Sequence, residues 1–411
     1  MPSYVSHLEA AIDGTVLAAR TVQTTHRGRP LRVRYDLERI WAAVDRDALR
    51  QRPADMWRYR ELLPLEDQAD RVSLGETMTP LLPAPRLGAQ LGLHDLWIKD
   101  ESRLPTGSFK ARGMAMAVSM AHELGLTRLA APTAGNAGGA LAAYAARAGL
   151  EAYVFMPHDT PAVNRYEAAL YGAHAYLVDG FINDCAAIVR DGTEVMGWFD
   201  MSTLKEPYRI EGKKTMGLEL ADQLDWRLPD AILYPTGGGT GFIGMWKAFA
   251  ELETLGWLEG PQKPRMFGVQ SDGCAPIADA FAAGERFATP VAEPHTIASG
   301  IRVPVAVGDF MILDAARASG GAALAVEEGR LVEWMGLANA LEGIALCPES
   351  AACIGALERL VREGAVAPDE RVVIFNTGAA QKYVEAIAAD LASVAPPVDY
   401  QALLGAAGRR S

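Results

Sequence analysis

Short apolar segments alternate with helical spacings of apolar residues along most of this chain. The continuous apolar runs predict buried strands, and they lie at 96–98, 128–131, 152–156, 175–178, 231–234, 266–270 and 372–375. Apolar residues three and four positions apart predict helices at 139–148, 162–171, 242–255, 275–283, 310–318 and 351–363, with a further one from near Phe109 to Leu124. Such alternation is typical of a mostly parallel sheet with helices on both faces.

The first 74 residues have a mixed pattern, and we predict that they form an accessory arm. From Leu31 to Tyr35, apolar residues alternate with arginines, as in a half-buried strand with one solvated face. A basic patch can also contact phosphate or nucleic acid, but the regular alternation favours the strand. A helix is predicted at 37–49.

A lysine stands at the predicted start of the helix that begins near Phe109. Pro105 and Gly107 end the preceding strand, and Thr106 and Ser108 offer hydroxyls that could cap the helix. Lys110 lies in the first turn, where the helix end carries positive partial charge and disfavours a cation. The same field, together with burial, would lower the pKa of its amine and make it a nucleophile. The alternative is a solvated lysine with its apolar stem on the helix surface.

Three predicted strands end in loops that could bind a ligand, because doubly wound sheets bind ligands beyond the carboxyl ends of their strands. The loop 132–139 contains Asn136, which could donate its amide to a ligand or cap the next helix. The loop 235–242 contains the run Gly237 to Gly239 before a helix, and its unobstructed N–H groups could bind phosphate. Thr377 follows the last strand and offers one hydroxyl.

Other motifs are less consistent with the sequence around them. Residues 239–244 match G-x-G-x-x-G, but Asp272 lies too far along the chain for the acidic residue of a dinucleotide site. Ser202 and Lys205 match S-x-x-K, but the chain has neither S-D-N nor K-T-G, so an acylating serine is not expected.

Composition excludes several classes of partner. The chain has 411 residues, 50% of them hydrophobic, and a formal net charge of -12, so we expect no general attraction to nucleic acid or anionic membranes. The 4 cysteines form no C-x-x-C pair, which indicates free thiols in a reducing compartment. No signal-peptide or membrane-span pattern is present. The expected location is therefore the cytoplasm.

Four ordered motifs together resemble the fold type II pyridoxal-phosphate enzymes, and among them most closely the threonine synthase family. These motifs are Pro105-Thr-Gly-Ser-Phe-Lys-Ala-Arg-Gly113, Pro132-Thr-Ala-Gly-Asn-Ala137, Pro235-Thr-Gly-Gly-Gly-Thr-Gly241 and Asn376-Thr-Gly378. Segments 207–215 and 342–352 add to the likeness, which covers about 74–383. The resemblance implies an α/β fold with two doubly wound, mostly parallel sheets and the cofactor between them.

The resemblance also implies the roles of individual residues. Lys110 would bind pyridoxal 5'-phosphate as a Schiff base and carry protons. The other implied cofactor contacts are Phe109, Asn136, Gly237, Gly238, Gly239, Thr240 and Thr377. The implied substrate contacts are Ser108, Thr133 and Arg209, and Arg209 would bind the substrate phosphate.

The implied reaction converts O-phospho-L-homoserine and water to L-threonine and phosphate, and the implied assembly is a homodimer. A threonine or serine dehydratase and a β-replacement enzyme of the cysteate synthase type are alternatives on the same scaffold, as is a binding protein without turnover. Glu206 stands where the family usually has Asn, so we expect it either to point away from the substrate phosphate, with Lys205 or Lys213 as partner, or to indicate a less charged substrate.

The expected domains are an arm (1–74), an α/β part with the lysine (75–215), an α/β part with the glycine loop (216–395) and a tail (396–411). The arm resembles the frame of a zinc ribbon that some relatives carry, but it contains no cysteine, so no metal is expected.

Overall fold

The computed structural model describes residues 3–260, 263–387 and 393–401. Its strands are Val5–Ala10 (β1), Val16–Leu17 (β2), Leu31–Tyr35 (β3), Leu81–Pro83 (β4), Asp95–Asp100 (β5), Arg128–Pro132 (β6), Glu151–Pro157 (β7), His174–Val178 (β8), Phe199–Asp200 (β9), Ala231–Pro235 (β10), Arg265–Ser271 (β11), Ala322–Val326 (β12) and Arg371–Asn376 (β13). Its helices are Leu37–Ala43 (α1), Pro85–Leu91 (α2), Lys110–Glu123 (α3), Asn136–Ala148 (α4), Ala162–Leu170 (α5), Ile182–Met196 (α6), Tyr208–Gln223 (α7), Thr240–Thr254 (α8), Pro276–Ala282 (α9), Asp309–Ala318 (α10), Leu331–Glu342 (α11) and Pro348–Arg362 (α12).

The apolar runs form two sheets, as the alternation predicts. The larger sheet has six strands in the order β12-β11-β10-β13-β5-β4, and all its neighbours are parallel except β4 and β5. The smaller sheet has the order β8-β7-β6-β9 and is parallel throughout. Every residue of β10 is buried, which is typical of a parallel strand with helices on both faces. The predicted fold of two doubly wound sheets is confirmed.

The smaller sheet is inserted in the chain between β5 and β10 of the larger one. The predicted boundary at 215/216 falls inside α7, and β4 and β5, which precede it, pair in the larger sheet. The division at that residue stays a prediction. Residues 402–411 of the expected tail lie outside the described residues.

The arm contains a small antiparallel sheet with the order β2-β1-β3. Leu31 and Val33 are buried in it, so the predicted strand is confirmed. The predicted helix at 37–49 is wrong beyond Ala43, where α1 ends and a short 3-10 helix follows at Asp47–Gln51. The carboxylate of Asp45 accepts the backbone N–H of Asp47 at 3.0 Å, and such a local bond competes with a continuing helix.

Helix α7 connects α3 and α8, because both helices pack tightly against it. A Cβ atom at Gly212 would lie 2.0 Å from the carbonyl oxygen of Arg112, so the approach to α3 requires glycine there. On the α8 side, a Cβ at Gly217 would lie 2.9 Å from that of Ala248. No helix in the described parts of the chain is long and apolar enough to cross a membrane.

Candidate active site

Lys110 is the first residue of α3, which confirms the predicted helix start. The predicted caps are wrong: the hydroxyls of Thr106 and Ser108 are buried without hydrogen-bond partners. The backbone supplies the missing acceptors, since the N–H groups of Ala111 and Arg112 each donate to the carbonyl three residues earlier, at Ser108 and Phe109. Those carbonyls satisfy donors that a capping hydroxyl would otherwise serve.

The Lys110 amine lies in an environment that disfavours its charge. Burial, helped by the charge of the nearby Arg209 and opposed by Glu349, lowers the pKa of Lys110 to about 8. At pH 7 about a tenth of this amine is therefore neutral, far more than for an ordinary lysine of pKa about 10.4, and the neutral amine is the form that attacks a carbonyl.

Arg112, the second cation in this turn, forms buried ion pairs that hold the fold together. Its guanidinium donates to Glu101 at 2.6 and 2.9 Å and to Glu219 at 2.6 and 2.8 Å. All three side chains are fully buried, and Lys99 completes the network at 3.0 Å from Glu219. The unfavourable charge at the helix start is thus compensated by buried carboxylates, which fix α3 relative to α7 and β5.

The glycine loop leads into the N-terminus of α8, which begins at Thr240, two residues before the predicted start. Gly239 has a φ of 74° and a Cβ there would lie 2.3 Å from Cδ1 of Ile312. A Cβ at Gly238 would lie 2.7 Å from the Thr203 methyl group. Only glycine fits this loop, which leaves its N–H groups open at the positive end of a helix, where anions bind.

Asn136 lies at the start of α4 and does not cap it, since Gly135 is the N-cap residue. Its Nδ2 donates to the Tyr383 hydroxyl at 2.9 Å, and its Oδ1 is buried without a partner. Of the two interpretations open to the sequence, the structure contradicts the helix cap. The amide is held by Tyr383 and still has one free acceptor.

Thr377 is held beneath the site by the start of α12. Its N–H donates to the Ser350 hydroxyl at 2.9 Å, and its own hydroxyl lies 3.4 Å from that of Ser350. The Cys347 thiol is 3.7 Å from the same Thr377 oxygen. Burial raises the pKa of Cys347 to about 12, so this thiol is protonated and acts as a neutral neighbour. The Phe109 N–H donates to the Thr377 carbonyl at 3.0 Å, which ties the lysine turn to this strand end.

Two adjoining cavities meet at Lys110. The inner one is lined by the residues from Gly237 to Gly241 together with Phe109, Asn136 and Thr377. The outer cavity has a volume of about 260 Å³ and is lined by Thr133, Asn136 and Gly238 among others. Lys110 belongs to the walls of both. The motifs that lie far apart in the sequence therefore surround one lysine.

Comparison with known proteins agrees with this geometry. Residues 72–378 match the family described as pyridoxal-phosphate dependent enzyme. The chain belongs to this family. The pyridoxal-phosphate-dependent enzymes similar to it in sequence include the threonine synthase of Methanocaldococcus jannaschii, 37% identical over 87% of this chain and 88% of that protein. The threonine synthase of Mycobacterium bovis is 34% identical over 83% of this chain and 92% of its own length.

Two solved structures share the fold. Maize serine racemase superposes with a TM-score of 0.65 at 22% identity, over 87% of this chain and 98% of that one. Diaminopropionate ammonia lyase from Escherichia coli gives 0.66 at 17% identity, over 81% and 95%. These likenesses concern the fold.

The inner cavity fits the cofactor of this family chemically. Pyridoxal phosphate presents an aldehyde, a phosphate, a phenolic oxygen and a ring nitrogen, and each finds a candidate partner: a lysine of lowered pKa, a glycine-only loop at a helix end, the Asn136 amide and the Thr377 hydroxyl. Buried atoms without partners, among them Asn136 Oδ1 and Glu349 Oε2, lie on residues of its wall. Unpaired buried polar atoms are costly, and a bound ligand can supply their partners.

Only one of the three predicted substrate residues lines a cavity. Thr133 lines the outer cavity, whereas Ser108 is fully buried and lines neither cavity. Arg209 is also buried and lines neither: its guanidinium donates to the Met201 carbonyl at 2.8 Å, while its Nε has no partner. Burial lowers the pKa of Arg209.

Glu206 points away from the outer cavity, but the partners suggested for it are wrong. Its carboxylate accepts the N–H groups of Tyr208 at 2.7 Å and Arg209 at 3.1 Å, at the start of α7, rather than pairing with Lys205 or Lys213. Burial raises the pKa of Glu206 to about 7, although Arg209 and the two N–H groups act against the shift.

Glu349 is a residue of the site that motif reasoning did not single out. Its Oε1 accepts the Gly300 N–H at 2.7 Å, and its side chain lines the inner cavity. A Cβ at Gly300 would lie 2.7 Å from this oxygen. In the sequence, Glu349 is only an acidic residue near the start of a predicted helix. Such residues are common at helix starts and do not by themselves indicate a site.

Proposed function

We propose that this pyridoxal-phosphate-dependent enzyme is a threonine synthase, which converts O-phospho-L-homoserine and water to L-threonine and phosphate. The proposal rests on one observation above all: Lys110, with a pKa of about 8, stands between the glycine-loop cavity and an outer cavity large enough for an amino acid. The threonine synthases among its relatives, similar over most of both chains, support the choice of reaction.

In this proposal the inner cavity holds the cofactor. Lys110 would bind its aldehyde, and the N–H groups from Gly237 to Thr240 would bind its phosphate. Asn136 would hold the phenolic oxygen, Thr377 would hold the ring nitrogen, and Phe109 would contact the cofactor. When bound, the cofactor supplies an electron sink for the α carbon of the substrate.

Lys110 is the proposed proton carrier. With substrate bound, the Lys110 amine would take the α proton and return protons along the substrate chain, because it is a base of suitable pKa at the junction of the cavities. The phosphate leaves from the γ carbon and water adds at the β carbon. Thr133, Ser108 and Arg209 are the proposed substrate contacts, of which Thr133 reaches the outer cavity wall.

A product assay tests the reaction. Purified holoenzyme given O-phospho-L-homoserine is expected to release phosphate and L-threonine in equal amounts. Keto acid from L-threonine or L-serine, without that phosphate release, would identify a dehydratase instead, and a new amino acid formed from an added nucleophile would identify a β-replacement enzyme. A purified protein that holds no cofactor would contradict all three activities.

Borohydride reduction tests the lysine. Peptide mapping after reduction is expected to find the pyridoxyl group on Lys110, and a label on the neighbouring Lys213 would overturn the assignment. Lys110→Ala is expected to retain cofactor through the glycine loop but to lose turnover, because the proton carrier is gone.

We also propose a cytoplasmic homodimer, as the family resemblance implies. Light scattering coupled to size-exclusion chromatography is expected to give twice the 44.0 kDa mass of one chain, and a mass of one chain would contradict the dimer.

A further inference from the structure

A third cavity, the arm cavity, lies between strand β3 of the arm and helices α7, α8 and α10. Its volume is about 430 Å³, which is within the range of about 300–1,000 Å³ that is usual for small-molecule sites. No described residue lines both the arm cavity and either of the cavities at Lys110. A ligand bound here would therefore be a further molecule, in addition to the cofactor and the substrate.

One part of the wall of the arm cavity is apolar. Ile210 of α7, Ile243 of α8 and Met311 of α10 are buried residues of this wall. The half-buried Trp246 adds an aromatic ring to the same wall. Surfaces of this kind bind the apolar body of a ligand. The ligand that fits them therefore has a hydrocarbon or aromatic part.

A second part of the wall belongs to a group of charges that compensate one another. The Lys214 ammonium lies 2.8 Å from both Glu211 and Glu251, and the Lys247 ammonium lies 2.8 Å from Glu211 and 2.7 Å from Glu251. The hydroxyl of Tyr35 also donates to Glu211, at 2.8 Å. Two cations and two carboxylates in one ring leave no net charge, so this part of the wall does not select a charged ligand.

Arg32 is the charged residue of the wall that has no partner in the described parts of the chain, where its guanidinium forms neither an ion pair nor a hydrogen bond. Glu9 is opposite Arg32 in the pairing of β1 with β3, but its carboxylate lies 2.5 Å from Arg34. Asp314, the other acid that acts on Arg32, lies 3.0 Å from Arg286. Three arginines thus share two carboxylates, and one positive charge at the cavity stays uncompensated.

The surroundings of Arg32 favour a bound anion. Burial, followed by the charge of Arg34, lowers the pKa of Arg32, although Glu9 and Asp314 oppose the shift. The charged guanidinium therefore lacks compensation in this place. A carboxylate would supply it, because a guanidinium can donate two parallel hydrogen bonds to the two oxygens of that group.

We propose that the arm cavity binds a small carboxylate with an apolar body, with Arg32 holding the charge and Trp246 contacting the body. One uncompensated cation matches one negative charge, and the apolar wall matches the rest of the molecule. The site is independent of the proposed reaction, because it shares no residue with the cavities at Lys110. Its failure would leave the reaction untouched, and a different reaction would leave the site untouched.

A simple acid and its amide test whether the cavity recognises a carboxylate. The acid is 4-methylpentanoate, which has a branched apolar body and no amine that could react with the cofactor. Calorimetric titration of the holoenzyme is expected to show one bound molecule per chain. The uncharged 4-methylpentanamide is expected to bind at least about tenfold more weakly, because it lacks the charge-assisted contact. Equal binding of acid and amide would overturn the proposal, and so would no binding of the acid, as when the partner copy of a dimer covers the cavity.

Variants of the wall locate the bound acid. Arg32→Gln is expected to weaken the binding of 4-methylpentanoate about tenfold or more, and Arg32→Lys is expected to restore part of the loss. Ala250→Phe, which fills the cavity from α8 without changing a charge, is expected to abolish binding. Arg27→Gln removes another arginine of the arm, whose side chain is 79% exposed, and is expected to bind as the wild type does.

The visible absorbance of the cofactor is expected to stay unchanged in all four variants, which shows that each has folded. Affinity equal to that of the wild type in Arg32→Gln or in Ala250→Phe would overturn the site, because the acid would then be bound elsewhere.

L-Leucine distinguishes two sources of such a ligand, amino acids and amine-free acids. It has the body of 4-methylpentanoate with an added ammonium, and Asp314 is an acid of the wall whose ion pair is exposed. If L-leucine displaces the probe at lower concentration than the amine-free acid does, and Asp314→Asn removes this advantage, the ligand is an amino acid. Weaker displacement by L-leucine would assign the site to amine-free acids.

Discussion

The amines of Lys110 and Lys213 lie on the same aromatic ring, with their Nζ atoms 4.1 and 4.2 Å from the centroid of Phe109. Lys213 comes from α7, and its amine donates to the Phe109 carbonyl. Burial, followed by the charge of Lys110, lowers the pKa of Lys213 well below that of an ordinary lysine. The charge of Lys110 thus favours the neutral form of the Lys213 amine beside the cofactor pocket.

This arrangement predicts how the apoenzyme takes up cofactor. The neutral amine of Lys110 is the nucleophile, so the rate of pyridoxal phosphate capture is expected to rise with pH and level off above about 8, the pKa of Lys110. Stopped-flow absorbance on the apoenzyme measures it. A midpoint near the pKa of a free lysine, about 10.4, would show that the amine is not perturbed.

The Arg112 network predicts a loss of stability when the cation is removed. Arg112→Met leaves the buried carboxylates of Glu101 and Glu219 without their guanidinium, so it is expected to lower the free energy of unfolding by about 3–5 kcal/mol. Denaturant unfolding measures the change. Arg359→Met, at an exposed pair, is the control and is expected to show none; equal effects in both variants would contradict a special role for the network.

The same network predicts acid sensitivity. Although burial alone would raise the pKa of Glu219, Arg112 and Lys99 lower it to about 2. A carboxylate whose pKa is lower in the folded state stabilises the fold above its unfolded pKa of about 4.3 and loses that contribution as the pH falls towards 2. Unfolding temperatures are expected to fall over this range more steeply for the wild type than for Glu219→Gln. Parallel curves would exclude the linkage.

Glu206 predicts the opposite dependence. Its folded pKa of about 7 exceeds the unfolded value of about 4.3, so its contribution to stability is fully present below about 4.3 and is lost as the pH rises from there through 7. Glu206→Gln keeps an acceptor for the two N–H groups without the charge. Its unfolding temperature is expected to exceed that of the wild type at pH 8.5 and to match it near pH 4. A less stable variant at pH 8.5 would mean that the fold needs the charged carboxylate.

The glycine loop predicts that alanine at two glycines of similar backbone conformation has different effects on cofactor binding. Gly239 and Gly364 have φ values of 74° and 72°, but an added Cβ meets Ile312 only at Gly239. Both alanine variants carry the backbone strain of about 1–2 kcal/mol. Only Gly239→Ala is also expected to lose bound cofactor, measured by visible absorbance per chain. Retained cofactor in Gly239→Ala would show that the loop adapts.

Elements with a clear apolar pattern could be predicted from the sequence. The strand β10, a run of buried apolar residues, and α3, with its start at Lys110, are confirmed. Helix α7 was not predicted, because nearly all of it is buried and its polar residues face partners instead of water. Lys214, for example, lies 2.8 Å from both Glu211 and Glu251. Such pairing removes the apolar stripe on which helix prediction depends.

The site shows a similar limit. Motifs indicated the lysine, the glycine loop, Asn136 and Thr377, because tight loops at strand ends require particular residues such as glycine and proline. The direction of the Arg209 guanidinium and the contact of Glu349 with Gly300 depend on the packing of distant segments, which no local spacing encodes. The roles of these residues, and the absence of metal from the arm, stay predictions.

The position of β13 has a consequence for folding during synthesis on the ribosome. This strand, Arg371–Asn376, lies between β10 and β5 in the larger sheet, although both are made much earlier. Until it emerges, β5 and β10 each expose a bare apolar edge, and such edges invite aggregation. A nascent chain stalled before residue 371 is thus a natural client for chaperones, while the inserted smaller sheet, β6 to β9, has all its strands by residue 200.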